Sequence, residues 1–204
     1  MRKVQLLSVL LAVVFVALVL VQVGCNNSNE EKVLSKEEQI QRGKYLVGLG
    51  GCNHCHSPKV MTAMGPVPDT TRLLSGNPED QPVTDLDPAM LASKTWLHTT
   101  MGLTAWIGPW GISYAQNLTP DPETGLGSWT EDLFIKALRT GKHMGVGRPL
   151  LPPMPWQDIS QLTDNDLKYI FAYLHSLPPI HNKVQDPVPP DMMASLFKQD
   201  KSKK

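Results

Sequence analysis

The chain has 204 residues, room for one core of ordinary size, and its 19 Lys and Arg balance 19 Asp and Glu. Setting aside Arg2 and Lys3 leaves a slightly acidic remainder with no dominant basic block, which argues against nucleic acid as a partner. The composition is that of one soluble domain behind an apolar N-terminal segment.

Arg2 and Lys3 open that segment, an unbroken apolar run extends from Val9 to Val21, and it closes on Gln22-Val23-Gly24-Cys25. This is the layout of a targeting segment. A small residue directly before a cysteine resembles the lipobox of bacterial lipoproteins, with Cys25 as the lipidated first residue of the mature protein. The alternative is an uncleaved anchor, because Val4 to Val23 approaches the ~20 residues needed to span a bilayer. The polar Asn26-Asn27-Ser28-Asn29 tether favours the lipoprotein. The expected domain layout is a signal peptide over 1–24, a tether over 25–34, a domain over 35–181, and a Pro-rich, then basic tail over 182–204. Lys198, Lys201, Lys203 and Lys204 read as a solvated end.

Ser35-Lys36-Glu37-Glu38 is a capping box opening a helix, on which Ile40, Gly43, Leu46 and Val47 share a face. The helix stops around Gly48 to Gly51 and delivers the chain into Cys52-Asn53-His54-Cys55-His56. Two thiols three positions apart, followed by an imidazole, read as a c-type haem attachment site. Each thiol adds to a vinyl group, so both sulfurs must meet one edge of the macrocycle. One helical turn achieves this and brings His56 under the iron as proximal ligand. A Cys-x-x-Cys can also be a redox dithiol or half of a zinc site. The only other cysteine is Cys25, and a thioredoxin-like dithiol belongs after a strand, whereas this motif follows a helical pattern.

About seventy residues rich in Pro, Gly and Trp follow, too long for a plain loop in a compact domain. A short helix is expected over Asp87 to Thr99, with Pro88 at its first position, and the remainder is expected to wrap the haem edge. Trp96, Trp106, Trp110 and Trp129 read as packing residues, with a bond from an indole N–H to a haem propionate as the further role open to one of them. No strand shows period-two alternation. Ser128-Trp129-Thr130-Glu131 signals a second helix carrying Leu133, Phe134, Ala137 and Leu138 and ending at Thr140-Gly141. A third is expected from Thr163-Asp164-Asn165-Asp166 to about Ser176, stopped by Pro178-Pro179.

Met154, within Pro152-Pro153-Met154-Pro155-Trp156, is the candidate second axial ligand. Its prolines fix φ and remove backbone donors, which stiffens the presentation of a weak iron–sulfur bond. Met144 and then His143 are the competing ligands, and a packing role for Met154 is the plain alternative.

The order of helix, Cys-x-x-Cys-His motif, central helix, methionine loop and final helix resembles the class I cytochrome c family. A narrower likeness lies in Gly108 to Gly111, Asn117 to Asp121, Gly125 to Trp129 and Arg148 to Pro155. These resemble the haem domains of cytochrome subunits of membrane-bound alcohol and sugar-acid dehydrogenases, which usually carry several haem motifs where this chain has one. The resemblance implies an all-α cytochrome c fold over 35–181. Its N- and C-terminal helices would cross at Gly43 and Tyr45 against Phe171, Tyr173 and Leu174, with a long irregular insertion between haem motif and central helix.

The function expected is membrane-tethered electron transfer without substrate chemistry. Cys52 and Cys55 would hold one covalent haem c, ligated by His56 and Met154. Donor and acceptor would be redox proteins: a dehydrogenase, an oxidase or another cytochrome. The expected location is the periplasmic side of a cell membrane, held through Cys25 or the N-terminal span. The alternatives are a haem subunit permanently docked on an exported dehydrogenase, and a haem enzyme or gas sensor with an open sixth site, using His143 or Arg148.

Overall fold

The computed structural model of the protein describes residues 34–83 and 95–193. The leader, the Cys25 lipidation site, the basic tail and residues 87–94 of the expected Asp87–Thr99 helix lie outside the described residues.

Helix α1 spans Lys36–Leu49, and its capping box forms as the sequence predicts. The Glu38 N–H donates to Ser35 Oγ at 3.3 Å, and the Ser35 N–H donates to Glu38 Oε2 at 2.9 Å. The short helix α2, Cys52–His56, follows after Gly51. Helix α3 spans Glu131–Thr140 with Thr130 as N-cap and Gly141 as C-cap, α4 covers Trp156–Ile159, and α5 covers Asp164–His175 with Thr163 as N-cap. In both long C-terminal helices a threonine hydroxyl accepts from the N–H three residues on, supplying a partner the first turn otherwise lacks.

Helices α1 and α5 cross against each other. Gly43 is buried at the crossing, where an added Cβ would lie 1.8 Å from the Tyr169 carbonyl oxygen and 2.8 Å from Tyr173 Cβ. The two backbones approach too closely for any side chain on α1 at this point, which only glycine permits. Around it Leu46, Val47, Phe134, Leu138, Leu167, Ile170 and Leu174 form the main core, joined by Leu74 and Leu126 from the intervening chain.

The expectation of an all-α fold is corrected. Only 35% of the described residues are helical, and among them five strands form two antiparallel sheets. Strands β1 (Lys59–Thr62) and β2 (Gly65–Pro68) form a hairpin. Strands β3 (His98–Thr99), β4 (Ala105–Gly108) and β5 (Gly111–Tyr114) form a three-stranded sheet in that order. The segment expected as irregular insertion is therefore partly sheet, and His98–Thr99 is strand rather than the end of a helix. The physical reason is length. A strand of two to four residues bounded by Gly and Pro is too short to register alternation. The first hairpin also exposes Val60 and Val67 on one face and Met61 on the other, so no buried face marks it.

The three-stranded sheet has its own small core of Ile107, Ile112 and Met193. The chain at 187–189 runs along β5, where the Ile112 and Val188 backbones exchange hydrogen bonds of 2.8 and 3.0 Å. Gly111, at φ +98, makes this possible, since its added Cβ would sit 2.0 Å from the Val188 oxygen. Further along, buried Asn182 donates through Nδ2 to the carbonyls of Ser75 and Asn77, at 2.6 and 2.8 Å. Among the described residues no helix is long and apolar enough to cross a membrane.

Candidate functional site

The end of α1 and the turn at Gly50-Gly51 feed directly into α2, which carries Cys52, Cys55 and His56. Three contacts from later in the chain hold this turn. The Ser57 hydroxyl donates to Asn53 Oδ1 at 2.8 Å and accepts from the Leu74 N–H at 2.9 Å. The Lys59 ammonium donates to the carbonyls of Asn53 (3.2 Å), His54 (2.9 Å) and Ser57. A cation on free carbonyls at a helix C-terminus satisfies groups the short helix cannot pair internally. The Gly76 N–H donates to the His56 carbonyl at 2.7 Å.

His56 is oriented by its own ring. Its Nδ1 lies 2.8 Å from the Gln116 carbonyl oxygen, which can only accept, so Nδ1 carries the proton. Burial pushes the imidazole below its ordinary pKa, outweighing the opposing effect of that hydrogen bond. The neutral ring with Nδ1–H leaves the Nε2 lone pair as the coordinating atom, and a backbone carbonyl partner is the usual way a ligating histidine is fixed.

Burial raises both the Cys52 and the Cys55 thiols above their ordinary pKa. A reactive dithiol needs the opposite shift, and the two thiols here are held neutral. Among the described residues no group of three or more His, Cys, Asp or Glu side chains is placed to hold a metal ion, so the zinc alternative has no partner ligands there.

Cys52, Cys55 and His56 line a cavity of about 430 Å³. Its walls are largely apolar, drawn from Leu46, Leu118, Leu126, Phe134, Ile170 and Leu174. Met154 lines the same cavity from the segment between α3 and α4. That segment begins where the Leu150 N–H donates to the Gly141 carbonyl at 2.8 Å, and its Pro152–Pro153 peptide is cis. Pro152, Pro153 and Pro155 are exposed while Met154 turns inward against the main core. Of the competing ligands, His143 lines the cavity and packs edge-on to Trp129 with ring centroids 5.3 Å apart. Met144 is 44% exposed and is not part of the cavity lining. His54 is exposed, with Nδ1 3.2 Å from the Gly51 carbonyl, while His98, His175 and His181 are not part of the lining.

Polar side chains complete the wall, among them those of Arg148, Trp106, Ser113 and His143. Arg148 lines the cavity half-buried, and burial lowers its pKa. Trp106, on β4, lines it too, and its Nε1–H is fully buried with no hydrogen-bond partner among the described residues. An orphaned buried donor costs about 1–3 kcal/mol and calls for an explanation. An acceptor carried by a cavity ligand supplies one. Trp110, by contrast, is bonded to Ser113, and Trp96 is 71% exposed, which corrects its reading as a packing residue.

The donor set, the neutral thiols, the apolar walls and the orphaned indole fit a porphyrin with acidic side arms. The sequence did not disclose Lys59, Gln116, Ser113 or Leu74 as parts of the site. Gln116 and Leu74 act through backbone groups, which leave no compositional mark. Lys59, three residues past a short helix, carried a faint signal as a C-terminal cap.

No family model matches the chain. Among curated proteins it is 38% identical over 81 residues to the cytochrome c subunit of the quinone alcohol dehydrogenase of Gluconobacter oxydans, covering 38% of this chain and 17% of that one. It is 29% identical over 148 residues to the gluconate 2-dehydrogenase cytochrome c subunit of Pantoea cypripedii, covering 72% of this chain and 25% of that one. It is 38% identical over 92 residues to the fructose dehydrogenase cytochrome subunit of Gluconobacter japonicus, covering 43% of this chain and 19% of that one. The matched stretch is thus a quarter or less of each of these relatives. The resemblance to cytochrome subunits of dehydrogenases, read from the motifs, is borne out.

Proposed function

We propose that this chain, which resembles the cytochrome c subunits of dehydrogenases, is an electron-transfer protein carrying one covalent haem c. The observation that carries the reading is the meeting of Cys52, Cys55, His56 and Met154 on one apolar cavity. Cys52 and Cys55 would hold the group through thioether bonds, and His56 Nε2 and the Met154 sulfur would ligate its iron. When bound, the group supplies an iron that alternates between ferric and ferrous states. The chain's own residues do the rest. His56 is held neutral and aimed by the Gln116 carbonyl. The apolar walls exclude water and, with Met154 ligating, would favour the ferrous state. The prolines around Met154 restrict its drift as the charge changes. The Trp106 N–H would donate to a porphyrin carboxylate. The chain itself is assigned no substrate chemistry.

The partners are redox proteins, a dehydrogenase as electron donor first among them, because the relatives are named as dehydrogenase subunits. Those names also favour permanent docking on such an enzyme as the second reading. The leader supports export and a place at a membrane on the periplasmic side, through lipid on Cys25 or through the N-terminal span.

The test is the absorption spectrum of the oxidised holoprotein. A sulfur-to-iron charge-transfer band is expected in the wild type and in Met144→Ala, and its loss in Met154→Ala. A high-spin wild type that binds carbon monoxide readily when reduced would support an open sixth site and sink the His/Met assignment. Co-purification of a dehydrogenase from detergent extracts separates the docked form from a mobile carrier.

A further inference from the structure

We infer that Ser113, backed by Trp110, is a positioning residue that fixes the Met154 segment in place; this rests on the His/Met reading above. The prolines set the constraint. Pro152, Pro153 and Pro155 have no N–H, so between Leu150 and Trp156 the backbone has few means of fastening itself to the rest of the protein. Of the donors that remain, the Met154 N–H is spent within the segment, on the Leu151 carbonyl at 3.2 Å. The Pro155 carbonyl accepts from Asp158 and Ile159 in the helix that follows. The stiffness of a proline run keeps its shape, but stiffness alone does not set where the run lies.

The Pro152 carbonyl is the exception. It accepts from the Ser113 hydroxyl at 2.6 Å. Among the described residues this is the hydrogen bond that ties the stretch from Leu151 to Pro155 to a different element of the fold. Ser113 sits on β5, is 7% exposed, and pairs across the sheet with Trp106. Its hydroxyl is aligned in turn, because Trp110 Nε1–H donates to Ser113 Oγ at 3.2 Å. With its acceptor side taken by the indole, the hydroxyl proton is directed at Pro152. The sheet that overturned the all-α expectation thereby acquires a task. It carries a two-bond relay, indole to hydroxyl to carbonyl, ending two residues from the proposed ligand.

The consequence is local to the sixth position. Releasing Pro152 lets the segment swing outward without disturbing His56, which is held separately by Gln116. A neutral hydrogen bond is worth about 0.5–1.5 kcal/mol, so its loss corresponds to roughly a twofold to tenfold rise in the ease of displacing Met154.

The experiment titrates the oxidised holoprotein with imidazole and follows loss of the sulfur-to-iron band. In Ser113→Ala the imidazole affinity is expected to rise by roughly twofold to tenfold, with Ser113→Thr, which keeps the hydroxyl, close to wild type. Trp110→Phe, which keeps the ring and removes the donor, should move the same way by less, and it carries the test if Ser113→Ala does not fold. Unchanged imidazole affinity in both variants overturns the inference, as does a fall in unfolding midpoint with no change in displacement, which is the signature of a merely structural role. A wild-type protein with no such band removes the His/Met premise itself, an outcome distinct from both.

Discussion

Two glycines on helix α1 should respond to the same substitution with opposite signs. Gly43 and Gly48 both lie in helical backbone, and in an exposed helix alanine is favoured over glycine by about 1 kcal/mol. At Gly48 an added Cβ meets nothing within 4 Å, so Gly48→Ala should stabilise the protein by about 0.5–1 kcal/mol. At Gly43 the added Cβ meets the Tyr169 carbonyl oxygen at 1.8 Å and its carbon at 2.5 Å. Those are backbone atoms inside α5 and cannot rotate away. Ordinary contact begins near 3.4 Å, so the helices must part by roughly 1.5 Å at the crossing. Leu46 and Val47 then lose packing against the core they share with Leu167, Ile170 and Leu174. Overpacking of this kind costs typically 1–3 kcal/mol, and with backbone as the obstacle the upper part of that range is expected even after the gain in helix propensity. Gly43→Ala should therefore lower stability by about 2 kcal/mol, read from urea unfolding of the holoprotein with a shift in midpoint at constant slope. A Gly43→Ala protein as stable as Gly48→Ala would refute the close crossing of α1 and α5.

Trp106→Phe removes the orphaned indole donor while keeping an aromatic ring. If the N–H serves a porphyrin carboxylate, the variant should lose about 1.5–3 kcal/mol in denaturant unfolding of the holoprotein, the range for a hydrogen bond to a charged group. Neutral or improved stability would show that the indole has no partner. Asp69 accepts from the Thr71 hydroxyl at 2.6 Å and from Arg72 Nε at 2.9 Å, and these bonds hold its pKa down to about 2. A folded pKa depressed below the unfolded value near ~3.9 stabilises the native state above that value, and the contribution is lost as pH falls towards about 2. The stability difference between wild type and Asp69→Asn should accordingly be constant at neutral pH and shrink between about pH 4 and about pH 2; a difference independent of pH would contradict it.

The helices were legible because their ends are written in side chains. Ser35 with Glu38, Thr130 and Thr163 each bond a first-turn N–H, and those signals place α1, α3 and α5 to within a few residues. The strands were not. Their pairing is decided by backbone partners such as Ile112 with Val188, and β4 and β5 are too short for a pattern. The same division runs through the site. Cys52, Cys55, His56 and Met154 announce themselves by type and setting, and the structure brings all four to one cavity. What surrounds them, the Gln116 carbonyl at His56, the Pro152 carbonyl bonded to Ser113 and the orphaned Trp106 N–H, depends on where the chain returns and not on which residues it contains.

Intact mass analysis of the denatured holoprotein, produced in a host that exports and matures c-type cytochromes, tests the central claim most directly. One haem per chain should remain attached after unfolding, and it should be lost when Cys52→Ala and Cys55→Ala are combined. A chain that carries no haem, or releases it on denaturation, would contradict the account.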